Sequence, residues 1–508
     1  MMTEQEKIDY LKAVDFGDID ANADPNLDRY FIDNNYWAEI FEKPIYCVIG
    51  KKGTGKSAIY QFIKKKSIEK GINISNRDFG DFPFERLLTL SDDSFSKPNQ
   101  YQSIWLHLIL DIFIDMIVNS PNKDKKLPSY KELKQYYDVC IGDTVNLHKD
   151  SITKVKKSNF TLAVAKIGIS PSISSDNEFA KQIGSGETNV STINAKLLSL
   201  LEDYFCNRKD NSKYLIQFDR LDDNYNQYTD VESYYQVIIS LMKVVYTINN
   251  MFRRNRIDGV KTIVYLRTDI INELGKRDAE SARWEEYYYN ISWAIQNLND
   301  WNSSPLLKMI DKRMESSTGD SHGFNDIFDT DTINLRNYNR QTGRVGAKQE
   351  VFKYMVDKTF HRPRDIIQFC KCIQQEIKET TNCQSISFRN IKNAEKKYTF
   401  WLVNSELTNE INPVLKNVDE VYELLKSIGR KPFSFRYFCT KYTNNITAMN
   451  SMKPLDLLKY LYDIGIILNV QRDHIGALQF RSIIRNNGKV NKNMQLMIHP
   501  GVWIGLLS

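Results

Sequence analysis

The octapeptide Gly50-Lys51-Lys52-Gly53-Thr54-Gly55-Lys56-Ser57 fits the pattern G-x-x-x-x-G-K-[ST] and constrains the fold more than any other stretch of the chain. Before it, Pro44 to Ile49 is apolar and β-branched, which predicts a buried strand. After it, Ile59, Phe62 and Ile63 fall on one face, which predicts an amphipathic helix. Glycines at 50, 53 and 55 allow positive φ, so successive N–H groups can point into one concavity. The start of the helix adds its positive dipole end to that concavity. Strand, loop and helix together predict a phosphate cradle lined by Gly50, Lys51, Lys52, Gly53, Thr54 and Gly55. Lys56 would reach the β- and γ-phosphates of a nucleotide, and the Ser57 hydroxyl would take a place on Mg²⁺.

Such a Walker A loop needs an acidic partner at the end of a neighbouring strand. Tyr214-Leu215-Ile216-Gln217-Phe218-Asp219-Arg220-Leu221-Asp222-Asp223 supplies one, with Asp219 the candidate Mg²⁺ ligand of a Walker B strand. Asp222 and Asp223 are candidates for polarising an attacking water, although acids after a strand also serve as turn or helix caps. A further strand, Val260 to Leu266, ends in Arg267-Thr268-Asp269. Arg267 stands where a strand tip would face a γ-phosphate; pairing with Asp269 at the surface is the other reading. Asn290 to Trp293 reads as one more short strand. In Phe360-His361-Arg362-Pro363-Arg364-Asp365 two arginines open a helix, an end that prefers anions. Either a phosphate comes to meet Arg362 and Arg364, or Asp365 pairs with them locally.

The series P-loop, hhhhD-R-L-D-D, strand-R-T-D and R-P-R-D resembles the bacterial P-loop ATPases of the AAA+/STAND branch, near the KAP-like and origin-recognition-like groups. Phe16-Gly17-Asp18, Asp20-Ala21, Tyr30-Phe31-Ile32 and Trp37 are similar to the lead-in of one of its subfamilies. The resemblance spans roughly residues 10–400. It implies ATP and Mg²⁺ as cofactors, nucleotide on Gly50 to Ser57, metal on Asp219 and water activation by Asp222 or Asp223. It also implies γ-phosphate sensing by Arg267 and Arg364, with Arg362 beside them. Lys56, Asp222, Asp223, Arg267 and Arg364 would then be the catalytic set. The usual Glu after the Walker B strand is missing, which suits slow, switch-like turnover. Related bacterial ATPases often serve antiviral defence, which the resemblance implies here. A GTPase reading lacks its N-K-x-D loop, and Gly184-Ser185-Gly186-Glu187 reads as a loop rather than a transporter signature.

At 508 residues the chain exceeds one compact core. We expect an α/β fold: a P-loop NTPase core with a parallel sheet, a helical lid and a C-terminal winged-helix-like domain. The expected boundaries are 1–44 for a lead-in, 45–301 for the core, 302–411 for the lid and 412–508 for the last domain. An insert at about 84–205 interrupts the core, with an apolar helix at Tyr101 to Val118 and strands suggested within Asn159 to Ser170. Val418 to Gly429, Ser434 to Tyr442 and Pro454 to Ile464 read as three helices. A strand from Gly465 follows, then Gln479 to Arg481, the Asn486-Asn487-Gly488 turn and a returning strand at Gln495 to Ile498, closed by His499-Pro500.

Charge singles out this last segment. Residues 412–508 hold thirteen Lys/Arg against six Asp/Glu, a net of +7, so with +6 overall the remainder sums to −1. Arg472, Arg481, Arg485, Lys489 and Lys492 would lie near the wing, where phosphate contacts position a duplex. DNA or another nucleic acid is therefore one expected partner. An effector protein is another, because winged helices also dock proteins, and a homo-oligomer is the expected assembly. No membrane partner is expected, since no apolar run approaches the ~20 residues of a span. The opening MMTEQEKIDYLKAVDFG is acidic and polar, without a secretory leader pattern. Seven scattered cysteines form no disulfide framework, which fits the cytoplasm.

Overall fold

Every residue of Cys47–Gly50 (β1) and of Tyr214–Asp219 (β3) is buried, and strands covered on both faces belong inside a parallel sheet. The computed structural model describes residues 2–79, 101–141, 190–221, 231–295, 298–328, 350–412, 414–415, 417–446, 452–472, 478–481 and 488–508. With Asn73–Asp78 (β2), Val260–Arg267 (β4) and Tyr288–Asn290 (β5), these strands form one sheet in the order β2-β3-β4-β1-β5. All four strand pairs are parallel. The two edge strands are the less buried ones, as edges should be. The sequence reading missed β2, because Asn73-Ile74-Ser75-Asn76-Arg77-Asp78 is polar, as a half-covered edge allows. The short strand expected at Asn290 to Trp293 lies slightly earlier, at Tyr288–Asn290.

The chain divides into two compact units. One comprises Asp33–Lys52 and Lys56–Ile291 and holds the sheet; the other comprises Met1–Ile32, Gly53–Gly55 and Ser292–Ser508.

In the sheet unit, the helices Lys56–Glu69, Gln102–Asn119 and Val231–Arg254 pack on the strands, and Val190–Asn207 packs on Gln102–Asn119. Gln102–Asn119 is long and apolar enough to cross a membrane by length and composition, but 72% of it is buried inside this protein. It is a core helix: Phe79, Trp105 and Phe218 meet edge to face or tilted, and Trp105 Nε1 donates to Val237 O at 3.0 Å. Lys261, buried in β4, donates to the carbonyls of Ile40, Phe41 and Lys43. These carbonyls end the π-helical turn Trp37–Glu42, so a strand lysine caps the lead-in where the helix leaves acceptors unmet. Burial lowers Lys261 to about 7, and those three acceptors face its amine. The strands suggested within residues 159–170, and Gly184 to Glu187, lie outside the described residues.

In the other unit, helix Glu4–Ala13 is opened by a capping box between Thr3 and Glu6 and packs on Pro305–Thr318 and Pro363–Glu379. Gln374 Nε2 donates to Leu11 O at 2.8 Å (Gln374 lies on Pro363–Glu379). Beyond it, the Tyr30 hydroxyl and Asp24 carboxylate meet in a buried cluster, with the Arg313 guanidinium 4.1 Å from the Tyr30 ring centroid. The lead-in is thus divided at Ile32, because its first part has a core of its own to join.

The last segment contains helices Val418–Ile428, Phe435–Asn445 and Pro454–Asp463 and an antiparallel sheet of Ile467–Arg472 (β6), Leu478–Arg481 (β7) and Gln495–Ile498 (β8). The strand order is β7-β6-β8, so β8 pairs with β6 rather than returning along β7. His499-Pro500 ends this last strand, as expected, and also opens a helix. That helix is Pro500–Leu507, with His499 Nδ1 accepting from Gly501 N at 3.2 Å. This helix lies so close to Phe388–Trp401 that a Cβ on Gly505 would overlap Thr399 O. One hydrophobic cluster runs from Ile8 through Phe369, Tyr398 and Leu425 to Leu506. The expected lid and last domain therefore share a single core.

Gly17 tests the N-terminal cluster. It has φ +68°, and an added Cβ would overlap the Tyr30 hydroxyl, Arg313 and Asp24. Left-handed strain and overpacking together lead us to expect Gly17→Ala to cost about 2–4 kcal/mol. Urea unfolding of the variant against the parent protein measures it.

Candidate nucleotide site

β1 stops at Gly50 and the next helix starts at Lys56, so five residues, 51–55, must reverse the chain. Gly53 and Gly55 do so with φ +77° and +91°, values that a side chain would resist. Gly50, in contrast, has no positive φ; it ends the strand in regular conformation, and the turn falls to the other two. The Lys56 ammonium folds back on its own loop and donates to Gly50 O at 3.1 Å and Lys51 O at 3.4 Å. Ser57 follows in the first turn of the helix and is half-buried.

The sheet order decides what stands beside this loop. β4 lies between β1 and β3, with Gly50 in register with Arg267. Asp219 closes β3 and is buried, two strands from β1, roughly 10 Å across the sheet at ordinary strand spacing. Its surroundings are poor in water: burial first and then the Asp219 charge push the Tyr60 and Tyr265 hydroxyls up. The next residue, Arg220, takes φ +60°, uncommon without glycine, and its NH1 pairs with Asp78 Oδ2 at 3.1 Å. Arg267 makes the pair that its sequence context left open, Nε to Asp269 Oδ1 at 3.0 Å and NH2 to Oδ2 at 2.7 Å. Asp222 and Asp223 lie outside the described residues.

Gly53–Gly55 belong to the unit that contains the arginines of R-P-R-D. Within that unit Trp293 Nε1 donates to Thr54 O at 2.8 Å, and Arg364 N approaches Gly53 O at 3.5 Å. A Cβ on Gly53 would lie 3.2 Å from Arg364 Cβ, so this glycine also permits a close approach. Arg362 and Arg364 have different surroundings. Arg362 is buried and grips Asp365 with both prongs, Nε to Oδ2 at 2.9 Å and NH2 to Oδ1 at 2.8 Å. Burial works against its charge, but Asp365, Glu406 and Glu410 overcome this and raise it above the usual arginine value. Local pairing is therefore the observed state of Arg362. Arg364 is half-exposed and pairs with Glu406, NH1 to Oε1 at 3.2 Å. Sequence reasoning missed Trp293 and Glu406. Trp293 was assigned to a strand, and forty-two positions separate Glu406 from Arg364.

A nucleotide with Mg²⁺ fits what is present. Two glycines at positive φ shape a cradle, the loop carries three lysines, and Ser57 and Asp219 offer oxygen ligands. Among the described residues no group of three His, Cys, Asp or Glu could hold a metal alone. Magnesium needs none, since it keeps waters and takes phosphate oxygens.

Residues 304–406 match the family model of the FunZ-associated C-terminal helical domain. No curated protein matches the chain. Among solved structures, Cdc6p from Pyrobaculum aerophilum is similar at 9% identity, over 95% of this chain and 92% of that one, with a TM-score of 0.29. The Aeropyrum pernix ORC2 protein in ADPNP–ADP complexes is similar at 10% identity, over 92% and 89%, with a TM-score of 0.28. The same protein in its ADP form gives 10% identity, 90% and 88%, and 0.29. Scores this low establish no common arrangement, and the site stands on the residues of this chain.

Removing the loop lysine should show in binding before turnover. Charge-assisted hydrogen bonds contribute about 1.5–3 kcal/mol each, so Lys56→Ala should weaken Mg·ATP binding roughly ten- to a hundredfold. Calorimetric titration checks this, with circular dichroism confirming an unchanged fold.

Proposed function

We propose that this protein is an ATP-binding, ATP-hydrolysing switch that couples its nucleotide state to DNA or to a protein partner. The observation that carries the reading is the loop itself. Gly53 and Gly55 take positive φ between a buried parallel strand and a helix opening with Lys56-Ser57. The motif series supports the chemistry that we assign to each residue. Backbone N–H groups of the loop would hold the phosphates, and Lys56 would leave the Gly50 and Lys51 carbonyls to neutralise charge on the β–γ bridge. Ser57 and Asp219 would hold Mg²⁺, which when bound neutralises charge on the phosphate oxygens. Asp222 or Asp223 would orient the attacking water. Arg267 would leave Asp269 to meet the γ-phosphate, and Arg364 would report its presence, with Arg362 held in place by Asp365.

The shared core of residues 302–508 supports coupling, because a change at Arg364 acts on the same packed body that carries the basic C-terminal segment. The excess of thirteen cations over six acids there favours a polyanion, and DNA is the partner we propose first. An effector protein would use the same segment. A homo-oligomer and the cytoplasm complete the reading; all seven cysteines are free thiols, as a reducing compartment keeps them. Antiviral defence is the cellular role that we propose from the resemblance of the motif series.

Turnover of ATP measured with and without duplex DNA tests the switch. We expect slow hydrolysis that DNA changes and that Lys56→Ala abolishes. Binding without turnover in either condition would replace this reading with a non-hydrolysing scaffold that acts through an effector. For the cellular role, expression in a bacterial host should lower phage plating, and Lys56→Ala should restore it.

A further inference from the structure

Arg362 and Arg364 share a buried acidic neighbourhood, yet they are held very differently. Arg362 holds Asp365, which also accepts from Phe360 N at 3.0 Å, with Glu406 and Glu410 each 3.8 Å from Arg362. Among the described residues the Arg364 guanidinium donates only from NH1, to Glu406 Oε1 at 3.2 Å and Oε2 at 3.4 Å. Its Nε is buried and makes no hydrogen bond among the described residues. A guanidinium has five N–H donors in a planar fork, so this one holds most of its capacity in reserve. It does so beside Gly53, whose carbonyl faces the Arg364 amide.

The backbone around Glu406 is unusual too. Leu402–Leu407 is a π-helical turn set between Phe388–Trp401 and Thr408–Ile411. Such turns insert an extra residue and rotate the side chains that follow, and they occur often at functional positions. Here the loosened carbonyl of Val403 is met by Tyr422 OH at 2.8 Å and Thr408 Oγ1 at 3.0 Å. The turn is therefore braced from the C-terminal segment, and its Glu406 carboxylate stands where both arginines reach it.

We infer that Glu406 is a counter-ion latch that holds Arg364 back until a third phosphate arrives, and so sets the preference for triphosphate over diphosphate. Glu406 is a positioning residue, and the inference rests on the nucleotide reading above. Among the described residues Arg362 and Arg364 face Asp365, Glu406 and Glu410, and the Arg364 guanidinium has donors in reserve. A terminal phosphate offers that fork a bidentate partner and must compete with one carboxylate. A diphosphate offers nothing at that position, and Arg364 stays on Glu406.

The test is calorimetric titration of the full chain with Mg²⁺ and either a non-hydrolysable ATP analogue or ADP. Glu406→Gln keeps the shape and removes the charge. It should bind the analogue roughly tenfold tighter, a typical value for one charge-assisted pair, while ADP affinity stays within about twofold. Arg364→Gln should weaken the analogue alone, and in the double variant the gain from Glu406→Gln should vanish. Glu406→Asp retains a carboxylate for Arg362 but shortens its reach. It should give a smaller gain, and it serves where Glu406→Gln does not fold. Unchanged or weaker binding of the analogue in the Glu406 variants would overturn the latch, as would a gain that persists without Arg364. If the parent protein binds neither nucleotide, the nucleotide reading falls and the latch with it. Binding by the parent with the wrong variant pattern removes the latch alone.

Discussion

Cys47–Gly50 pairs with β4 on one side, Cys47 to Ile49 pair with β5 on the other, and the candidate site depends on that anchorage. A phosphate loop works only if its first residue is immobile, because the N–H groups that follow have no other reference. Burial of the whole strand between two parallel neighbours supplies the immobility. The same pairing places Gly50 level with Arg267 and sets Asp219 one strand further on. Gly50, the strand-tip Arg267 and the Asp219 carboxylate are thus related by sheet register rather than by flexible contacts.

The second unit rests on a different constraint. Its hydrophobic cluster passes without a break from the N-terminal helix through the lid helices to the last turn of the chain. Tyr460 OH donating to Glu410 O at 3.0 Å and Tyr422 OH donating to Val403 O add polar ties across the expected boundary at 411 and 412. A buried ion cluster inside such a body is costly unless every member is paired. Arg362 meets that demand through Asp365, which makes it a fixed strut. Among the described residues Arg364 meets it through one carboxylate, Glu406, and keeps an unbonded Nε. Chemically identical residues two positions apart thus acquire opposite characters from their neighbours.

Much of the core was legible from sequence. The P-loop, the strands of Asp219 and Arg267 and the helix after R-P-R-D all have strong local signals, either a glycine-rich spacing or an unbroken apolar run. The misses have physical reasons. β2 is polar because it is an edge, and period and hydropathy speak only for covered strands. The partition of the lead-in at Ile32 depends on Tyr30, Asp24 and Arg313, which meet across nearly three hundred positions. The pairing of β8 with β6 depends on long-range register that alternation cannot report.

By itself the sequence determined that this chain holds a strand, a glycine-rich turn and a helix in the order a phosphate cradle needs. Those features depend on residues adjacent in the chain: apolar runs, glycine torsions and a helix start. Only tertiary structure decided that Arg267 rests on Asp269, that Arg362 is committed to Asp365, and that Arg364 leans on a glutamate forty-two positions away. The physical reason is that an arginine's charge is a property of the residue, whereas its partner depends on which carboxylates the packed fold brings within about 4 Å of it.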